Sequence, residues 1–139
     1  MCGIVAAQGQ EPILNNLLTG LERLEYRGYD SCGVAYLDSK TGTIERTRTV
    51  KRVADLVEQT KSLSESTFMG IAHTRWATHG VPCERNAHPH VSEKEIKGVV
   101  HSFSVVHNGI IENYQELKNE LIERGFVFQS DTDTEVIAH

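Results

Sequence analysis

The sequence lacks any apolar run that could cross a membrane. A membrane span needs about 18 or more consecutive apolar residues, and no stretch of the 139-residue chain comes near that length. The N-terminus also lacks the basic and apolar regions of a secretory signal peptide. These absences argue against a membrane partner, and we expect a cytoplasmic protein.

Clustered basic charge is also scarce. The chain has 14 Lys and Arg against 19 Asp and Glu, and its formal charge is −5. Surfaces that bind nucleic acid or anionic lipid need clustered cations to displace counterions. The one loose group is Arg46, Arg48, Lys51 and Arg52. We interpret it as a solvated face and expect no nucleic-acid partner.

Cysteine is rare, and its three positions, Cys2, Cys32 and Cys83, show no C-x-x-C spacing. An odd number without that spacing argues against a disulfide framework and fits a reducing compartment.

Hydrophobic periodicity predicts alternating strands and helices. Predicted strands lie at residues 2–8, 32–38, 42–50, 68–73 and 126–130, and predicted helices at 12–26 and 52–63. The first strand is expected to be buried on both faces, Gly28 to stop the first helix, and the turn "SKTG" to join a hairpin. The pattern indicates one incomplete domain of α+β type, with helices covering stacked sheets.

Residues 74–92 show no lasting period, yet they hold the only Trp, three of the seven His and two of the three Pro. A loop this long in a compact domain is usually functional. After it, Asn108-Gly109 within "VVHSFSVVHNGIIEN" predicts a tight hairpin turn between two strands.

Two capping-box spacings predict helix starts in the last third of the chain. Asn113 with Glu116 begins a helix that Gly125 ends, and Thr132 with Glu135 begins another. The sequence stops after little more than one turn of that second helix. We therefore expect the chain to continue in a longer protein.

Cys2 directly follows the initiator methionine. Removal of Met1 by methionine aminopeptidase, which accepts a small second residue, would leave a thiol and an α-amine on one residue. An α-amine has a pKa of about 7.7 to 8.0 and can accept a proton near pH 7, while the thiolate is a nucleophile. Taken alone, however, the position favours a small buried residue at the start of a strand.

Thiolate attack on an acyl group creates an oxyanion that needs preorganised donors. The Asn108 side-chain amide and the Gly109 N–H could point at one spot, because glycine allows a close approach of the backbone. The same dipeptide is compatible with a simple hairpin turn.

Six segments occur in order along the chain: "MCGIV", "LEYRGYDSCG", "HTRWATHG", "NAHPH", "VHNGIIEN" and "SDTDTEVIAH". Together they resemble the glutaminase domain of the glutamine:fructose-6-phosphate amidotransferase family. The first segment alone would indicate only amidotransferases with an N-terminal cysteine, whereas the second and third narrow the resemblance to the hexosamine-forming branch.

The resemblance implies a four-layer αββα fold of the N-terminal-nucleophile hydrolase type, present in residues 1–139 only as an incomplete glutaminase domain. It also implies that L-glutamine is hydrolysed through a thioester on the cysteine. The released ammonia would pass to a C-terminal sugar-phosphate isomerase domain, which these residues do not include, for the amination of fructose 6-phosphate to glucosamine 6-phosphate. The parent protein would be a homo-oligomer.

The resemblance assigns catalytic roles to three residues. Cys2 is the nucleophile with its own amine as base, and Asn108 with Gly109 forms the oxyanion hole. Arg75 and Asp133 would hold the α-carboxylate and α-ammonium groups of glutamine, which suits their charges. Without the resemblance, Arg75 would more commonly be a partner in a surface ion pair, and Asp133 a residue in the first turn of a helix.

The resemblance also places Trp76, Thr78 and His79 in a loop that covers the substrate, and gives Arg27 a supporting role near the nucleophile. We expect His88 to support the loop through hydrogen bonds. A Trp could instead anchor a core. Cys32 and Cys83 are expected to be bystanders.

A metal site could draw on His79, Cys83, His88 and His90. Their spacing matches no standard zinc pattern, and the resembling family needs no metal. We therefore predict no metal and no cofactor.

Two alternatives remain open at this point: another N-terminal-cysteine amidohydrolase, or a glutamine-binding fragment without turnover. The pairing of Arg75 with Asp133 favours a free amino acid as ligand.

Overall fold

A computed structural model of the chain describes residues 1–27 and 30–139, without the side chains of residues 64 and 65. The predicted helix stop at Gly28 lies outside these residues. The strands are β1 (Gly3–Gln8), β2 (Ser31–Asp38), β3 (Ile44–Thr49), β4 (Thr67–Arg75), β5 (His90–Ile96) and β6 (Val99–Val105). The helices are α1 (Leu14–Leu24), α2 (Val53–Thr60), α3 (Tyr114–Glu123) and α4 (Glu135–Ala138), with 3₁₀ turns at Glu25–Arg27, Lys61–Ser66 and Glu84–Asn86.

The strands form two antiparallel sheets. One has four strands in the order β1-β4-β2-β3, and the other is the hairpin β5-β6. Helices α1 and α2 pack on the four-stranded sheet, the hairpin lies next to β3, and α4 packs against the hairpin. The layers thus run helix, sheet, sheet, helix, which confirms the expected α+β fold in incomplete form.

The apolar core lies between the helices and the four-stranded sheet. Helix α1 contributes its residues at helical spacing, as predicted, because those positions share one face. The buried core residues are Ile13, Leu14, Leu17, Leu18, Leu21, Cys32, Val34, Tyr36, Val53, Leu56 and Ala72.

The space between the two sheets is polar. His73 and Arg75 alternate along β4 and point to the same face, and both are buried. Arg46 and Arg48 of β3 are only partly exposed there, and donate to backbone carbonyls of Pro89 at 3.3 Å and Ala87 at 2.8 Å. The interpretation of these two arginines as a solvated face was therefore wrong.

Strand β1 is buried on one face only, contrary to the prediction. Its Val5 side chain packs against α1, where a Cβ on Gly20 would lie 2.9 Å from it. On the opposite face Ile4 is 44% exposed. The physical reason is that β1 is an edge strand of its sheet, and few atoms cover its second face.

The tight turn lies at Lys97-Gly98 and not at Asn108-Gly109. Lys97 (φ 53°) and Gly98 (φ 78°) both have positive φ, as a two-residue hairpin turn requires, and Ile96 pairs with Val99 across it. Residues 106–113 form no strand. The prediction of a hairpin around Asn108 was wrong, because β6 pairs with β5, which comes before β6 in the chain, and not with a strand after Asn108.

The predicted strand at 126–130 is also absent. Its backbone N–H groups at Gln129 and Ser130 donate to the carboxylate of Glu135, each at 2.8 Å. These donors are therefore not available for a strand ladder. Hydrogen bonds to the buried Glu135 carboxylate thus take the place of pairing with another strand.

Neither capping box forms as predicted. Asn113 does precede α3, but its side chain makes no capping hydrogen bond. Helix α4 begins after Thr134, and the hydroxyl of Thr132 lies 2.8 Å from Nε2 of His90 instead. The end of α3 is as expected, because Gly125 has φ 85° and donates to the carbonyl of Ile122 at 2.9 Å.

Gly33 of β2 allows the loop before β5 to approach the sheet. A Cβ at this position would lie 2.2 Å from the backbone oxygen of His88. Gly33→Ala should therefore push this loop away and lower the free energy of unfolding by about 1–3 kcal/mol. Urea unfolding measures the loss, and the NMR resonances of His88 should shift.

The matched control is Gly42→Ala. Gly42 has φ 71° with nothing within 4 Å of a new Cβ, so the substitution should cost only backbone strain, roughly 1–2 kcal/mol. The His88 resonances should then stay unchanged. Unshifted His88 resonances in Gly33→Ala as well would contradict the proposed close packing.

Candidate active site

A pocket of about 310 Å³ lies where β1 begins and β4 ends. It gathers eight residues that the sequence analysis assigned to a site: Cys2, Arg75, Trp76, Thr78, His88, Asn108, Gly109 and Asp133. It is also lined by residues that had no assigned role: Met1, His107, Ile110, Thr132 and Thr134. His79 and Arg27 lie beside the pocket and not in its wall.

The thiol of Cys2 is positioned by the pairing of β1 with β4. Gly3 lies opposite Thr74 in that ladder, and the Gly3 N–H donates to the Thr74 hydroxyl at 3.0 Å. One residue beyond β4, the Trp76 N–H donates to the Cys2 sulfur at 3.2 Å. The Cys2 sulfur also lies 3.8 Å from the Trp76 carbonyl oxygen, so both contacts hold the thiol beside the start of the segment after β4.

Arg75 is 3% exposed at the end of β4. Its Nη2 donates to the carbonyls of His79 and Gly80, the latter at 3.3 Å. Its Nη1 is buried and has no hydrogen-bond partner among the residues that the structure describes. A buried guanidinium with unused donors is costly unless a ligand fills them.

Asp133 supplies the opposite charge and is also 3% exposed. Its Oδ2 accepts the Ile111 N–H at 2.7 Å and lies 3.9 Å from Nδ1 of His79. The hydroxyl of Thr134 donates to Oδ1 at 3.4 Å. Asp133 thus lines the pocket and also holds the backbone just after the Asn108-Gly109 pair.

Asn108 and Gly109 lie on an exposed turn at the pocket wall. The ring of His107 packs against Gly109 so closely that a Cβ there would lie 2.7 Å from its Nε2. Glycine is therefore the residue that fits at this point of the pocket wall.

The segment after β4 is held by Asp30, which the sequence analysis did not assign. Its carboxylate accepts the Ala77 N–H, and its own N–H donates to the Arg75 carbonyl at 2.8 Å. Asp30 belongs to the "YRGYDS" segment, and this segment could have pointed to Asp30 as a site residue.

Trp76 is 55% exposed. Its side chain therefore does not anchor the core.

Arg27 lies against the N-terminal residue. Its carbonyl accepts the Met1 ammonium at 3.2 Å, and its Nη2 lies 3.6 Å from the Met1 sulfur. Because Met1 lines the pocket, it occupies part of the space beside the thiol. With Met1 attached, the nitrogen of Cys2 is an amide that cannot act as a base.

The other cysteines differ from Cys2 in environment. Burial, together with the nearby carboxylates of Glu25 and Asp55, raises the pKa of Cys32 to about 12. That thiol stays protonated at neutral pH and is a poor nucleophile. Cys83 is a free, partly exposed thiol outside the pocket wall.

Within residues 1–27 and 30–139, no group of three or more His, Cys, Asp or Glu side chains is placed to hold a metal ion. Nor does any helix in this part of the chain have the length and apolar character needed to span a membrane.

A family model described as a glutamine amidotransferase domain matches residues 58–139, more than half of the chain. The chain belongs to this family. Two solved structures share the fold at 26% identity, each over 99% of the chain and 28% of the other protein. One is a glutamine phosphoribosylpyrophosphate amidotransferase from B. subtilis with ADP and GMP, at a TM-score of 0.75. The other, described as the allosteric regulatory enzyme of purine biosynthesis, has a TM-score of 0.76.

Curated relatives are more similar still in sequence. A glutamine–fructose-6-phosphate aminotransferase (isomerizing) from Bordetella pertussis is 57% identical over the whole chain, which spans 22% of that protein. Proteins of the same name from Rhizobium meliloti and Acinetobacter baylyi are each 55% identical, and the chain spans 21% of each. The chain thus covers about a fifth of the length of these relatives.

Proposed function

We propose that residues 1–139 form the N-terminal part of a domain that hydrolyses L-glutamine and, in a longer protein, supplies ammonia for converting fructose 6-phosphate to glucosamine 6-phosphate. The family match and the names of the curated relatives support this proposal. The partner of the domain is then a sugar-phosphate isomerase domain of the same protein. The cytoplasmic location and the homo-oligomeric state stay predictions.

One observation carries the proposal most directly: a thiol, a buried guanidinium with unused donors and a buried carboxylate line one pocket. Free glutamine has a matching set of groups. Its α-carboxylate fits Nη1 of Arg75, and its α-ammonium fits Asp133, as charge-assisted hydrogen bonds. The side-chain carboxamide at the other end of the molecule is then free to reach Cys2.

The proposed reaction uses these groups in turn. The Cys2 thiolate attacks the carboxamide carbon, and the oxygen of the tetrahedral intermediate is stabilised by the Asn108 amide and the Gly109 N–H. The carbon–nitrogen bond breaks as the nitrogen takes a proton, releasing ammonia and leaving a glutamyl thioester. Water then attacks the thioester, and glutamate leaves with the thiol restored.

The base in both steps is the α-amine of Cys2, which exists only after Met1 is removed. Partly neutral near pH 7, this amine can take the proton of the thiol and later that of the attacking water. Processing also clears Met1 from the pocket wall. We therefore place removal of Met1 before the first turnover.

Substrate analogues provide the test of this assignment. In the full-length protein, with Met1 loss verified by intact mass, glutamine should yield glutamate, and fructose 6-phosphate should yield an equal amount of hexosamine phosphate. An amide that lacks the α-ammonium group, 4-carbamoylbutanoate, loses the bond to Asp133. Such bonds contribute about 1.5–3 kcal/mol, so its kcat/KM should fall about 10- to 100-fold.

The control for this assay is Asp133→Asn, in which the preference for glutamine over the analogue should shrink. Equal hydrolysis of both amides by the unaltered protein would contradict the amino-acid site. Absence of any glutamate would overturn the proposed reaction.

A further inference from the structure

Two histidine rings stack beneath the candidate site. His73 of β4 and His88, just before β5, have ring centroids 4.3 Å apart and an interplanar angle of 16°. They are 0% and 4% exposed. The reaction proposed above uses neither imidazole, so their burial beside the pocket needs another reason.

His88 contacts the backbone of the turn that carries the oxyanion donors. The N–H of His107 donates to its Nδ1 at 3.4 Å. A backbone N–H can only donate, so Nδ1 must be the unprotonated nitrogen of a neutral ring. His107 immediately precedes Asn108, and this bond therefore fixes where the turn begins.

The other end of the same turn is held by Asp133, which accepts the Ile111 N–H at 2.7 Å. The turn from 107 to 111 is thus anchored at two backbone N–H groups, and Asn108 and Gly109 lie between the anchors. An error of about 1 Å in the position of such donors costs on the order of 100-fold in rate. The accuracy of the turn consequently depends on both acceptors.

We propose that His88, stacked on His73, is a positioning residue that holds the Asn108-Gly109 donors in place through the His107 N–H. This inference rests on the proposed function, because it gives those two residues a role as oxyanion donors. His88 itself touches no reacting atom. Its role is to be a rigid hydrogen-bond acceptor.

The surroundings of His88 keep it neutral. His73 and Arg75 face it from β4, His90 from β5 with ring centroids 4.6 Å apart, and His107 from the turn. Burial, with these cationic or protonatable neighbours, lowers the pKa of His88 far below its ordinary value, and burial lowers that of His73 to about 4. His88 therefore remains an acceptor throughout the pH range in which an enzyme of this kind is assayed.

Two substitutions of His88 distinguish the loss of the hydrogen-bond acceptor from the loss of the imidazole ring. His88→Asn retains an oxygen close to the place of Nδ1, whereas His88→Leu leaves the His107 N–H unpaired. In the full-length protein, His88→Leu should lower kcat for glutamine hydrolysis about 10- to 100-fold with KM for glutamine within about threefold. His88→Asn should stay within about fivefold of the unaltered protein, with the same pH profile. The exposed His101 provides the control, and His101→Leu should leave both constants unchanged.

Equal loss in both His88 variants, unchanged kcat in His88→Leu, or a loss confined to KM would each overturn the proposal. A second measurement needs no variant. In the full-length protein labelled with ¹⁵N-histidine, the imidazole shifts should show His88 with an unprotonated Nδ1, and a protonated Nδ1 would overturn the positioning role. This readout is independent of turnover, so a failure of glutamine hydrolysis would count against the proposed function alone.

Discussion

Replacing Cys2 with alanine is expected to lower kcat for glutamine hydrolysis by about 10⁴-fold or more, since loss of a nucleophile removes the covalent route. The effect should be this large because the burial of Cys32 leaves it unsuited to replace the lost thiol. Alanine is small enough for Met1 still to be removed, so the α-amine persists. The measurement is glutamate release by the full-length protein at saturating glutamine.

The matched control is Cys83→Ala. Cys83 is a free thiol that lies outside the pocket wall, and its loss should leave kcat unchanged. Intact mass after incubation with a glutamine-like electrophile should show one adduct in this control and none in Cys2→Ala. Turnover by Cys2→Ala at the rate of the control would mean that another group performs the attack.

Asn108→Ala is the second substitution with a large expected effect. Removing one oxyanion donor typically lowers kcat about 10²- to 10³-fold. The Asn108 amide acts on a charge that develops only in the transition state, so KM for glutamine should change little. Steady-state kinetics of glutamate release at pH 7 measures both constants.

Asn113→Ala is the control in the same part of the chain. Asn113 is exposed and its side chain makes no capping hydrogen bond, so this variant should keep the kcat of the unaltered protein. Asn108→Asp tests the chemistry, because it keeps the size of the side chain but replaces the donor with a negative charge. A kcat for Asn108→Ala within threefold of the unaltered protein would exclude the amide as an oxyanion donor.

The amphipathic elements were predictable from local pattern. Helix α1 and the hairpin of β2 and β3 follow from helical spacing and from a turn with Gly42 at φ 71°. Such elements form wherever one face is apolar, whatever lies further along the chain. Of the thirteen residues that line the pocket, eight were also assigned to a site from the sequence.

The errors occurred where distant residues compete for the same backbone groups. Asn108-Gly109 is a strong turn dipeptide, yet the strand partner of β6 is β5, and Lys97-Gly98 takes the positive φ angles. Residues 126–130 have a strand-like pattern, but the buried Glu135 accepts two of their N–H groups. No local rule contains information about such partners.

The missed site residues share one property. Asp30 accepts a backbone N–H 47 residues away, His107 donates its own N–H to His88 19 residues away, and His73 stacks on the His88 ring. A sequence shows these side chains but not what they face. The contacts that assign them roles appear only when both sheets are in place.

By itself, the sequence determined which reactive groups are present. They are the thiol of residue 2, which processing can make N-terminal, the guanidinium of residue 75, the carboxylate of residue 133 and the amide of residue 108. Side-chain chemistry belongs to the residue and travels with it. Only the tertiary structure decided that these groups meet, because the β1–β4 register sets Gly3 opposite Thr74 and because Arg75 and Asp133 are both buried at the wall of one pocket. Distances between residues far apart in the chain are a property of packing, and packing is settled by all the strands and helices together.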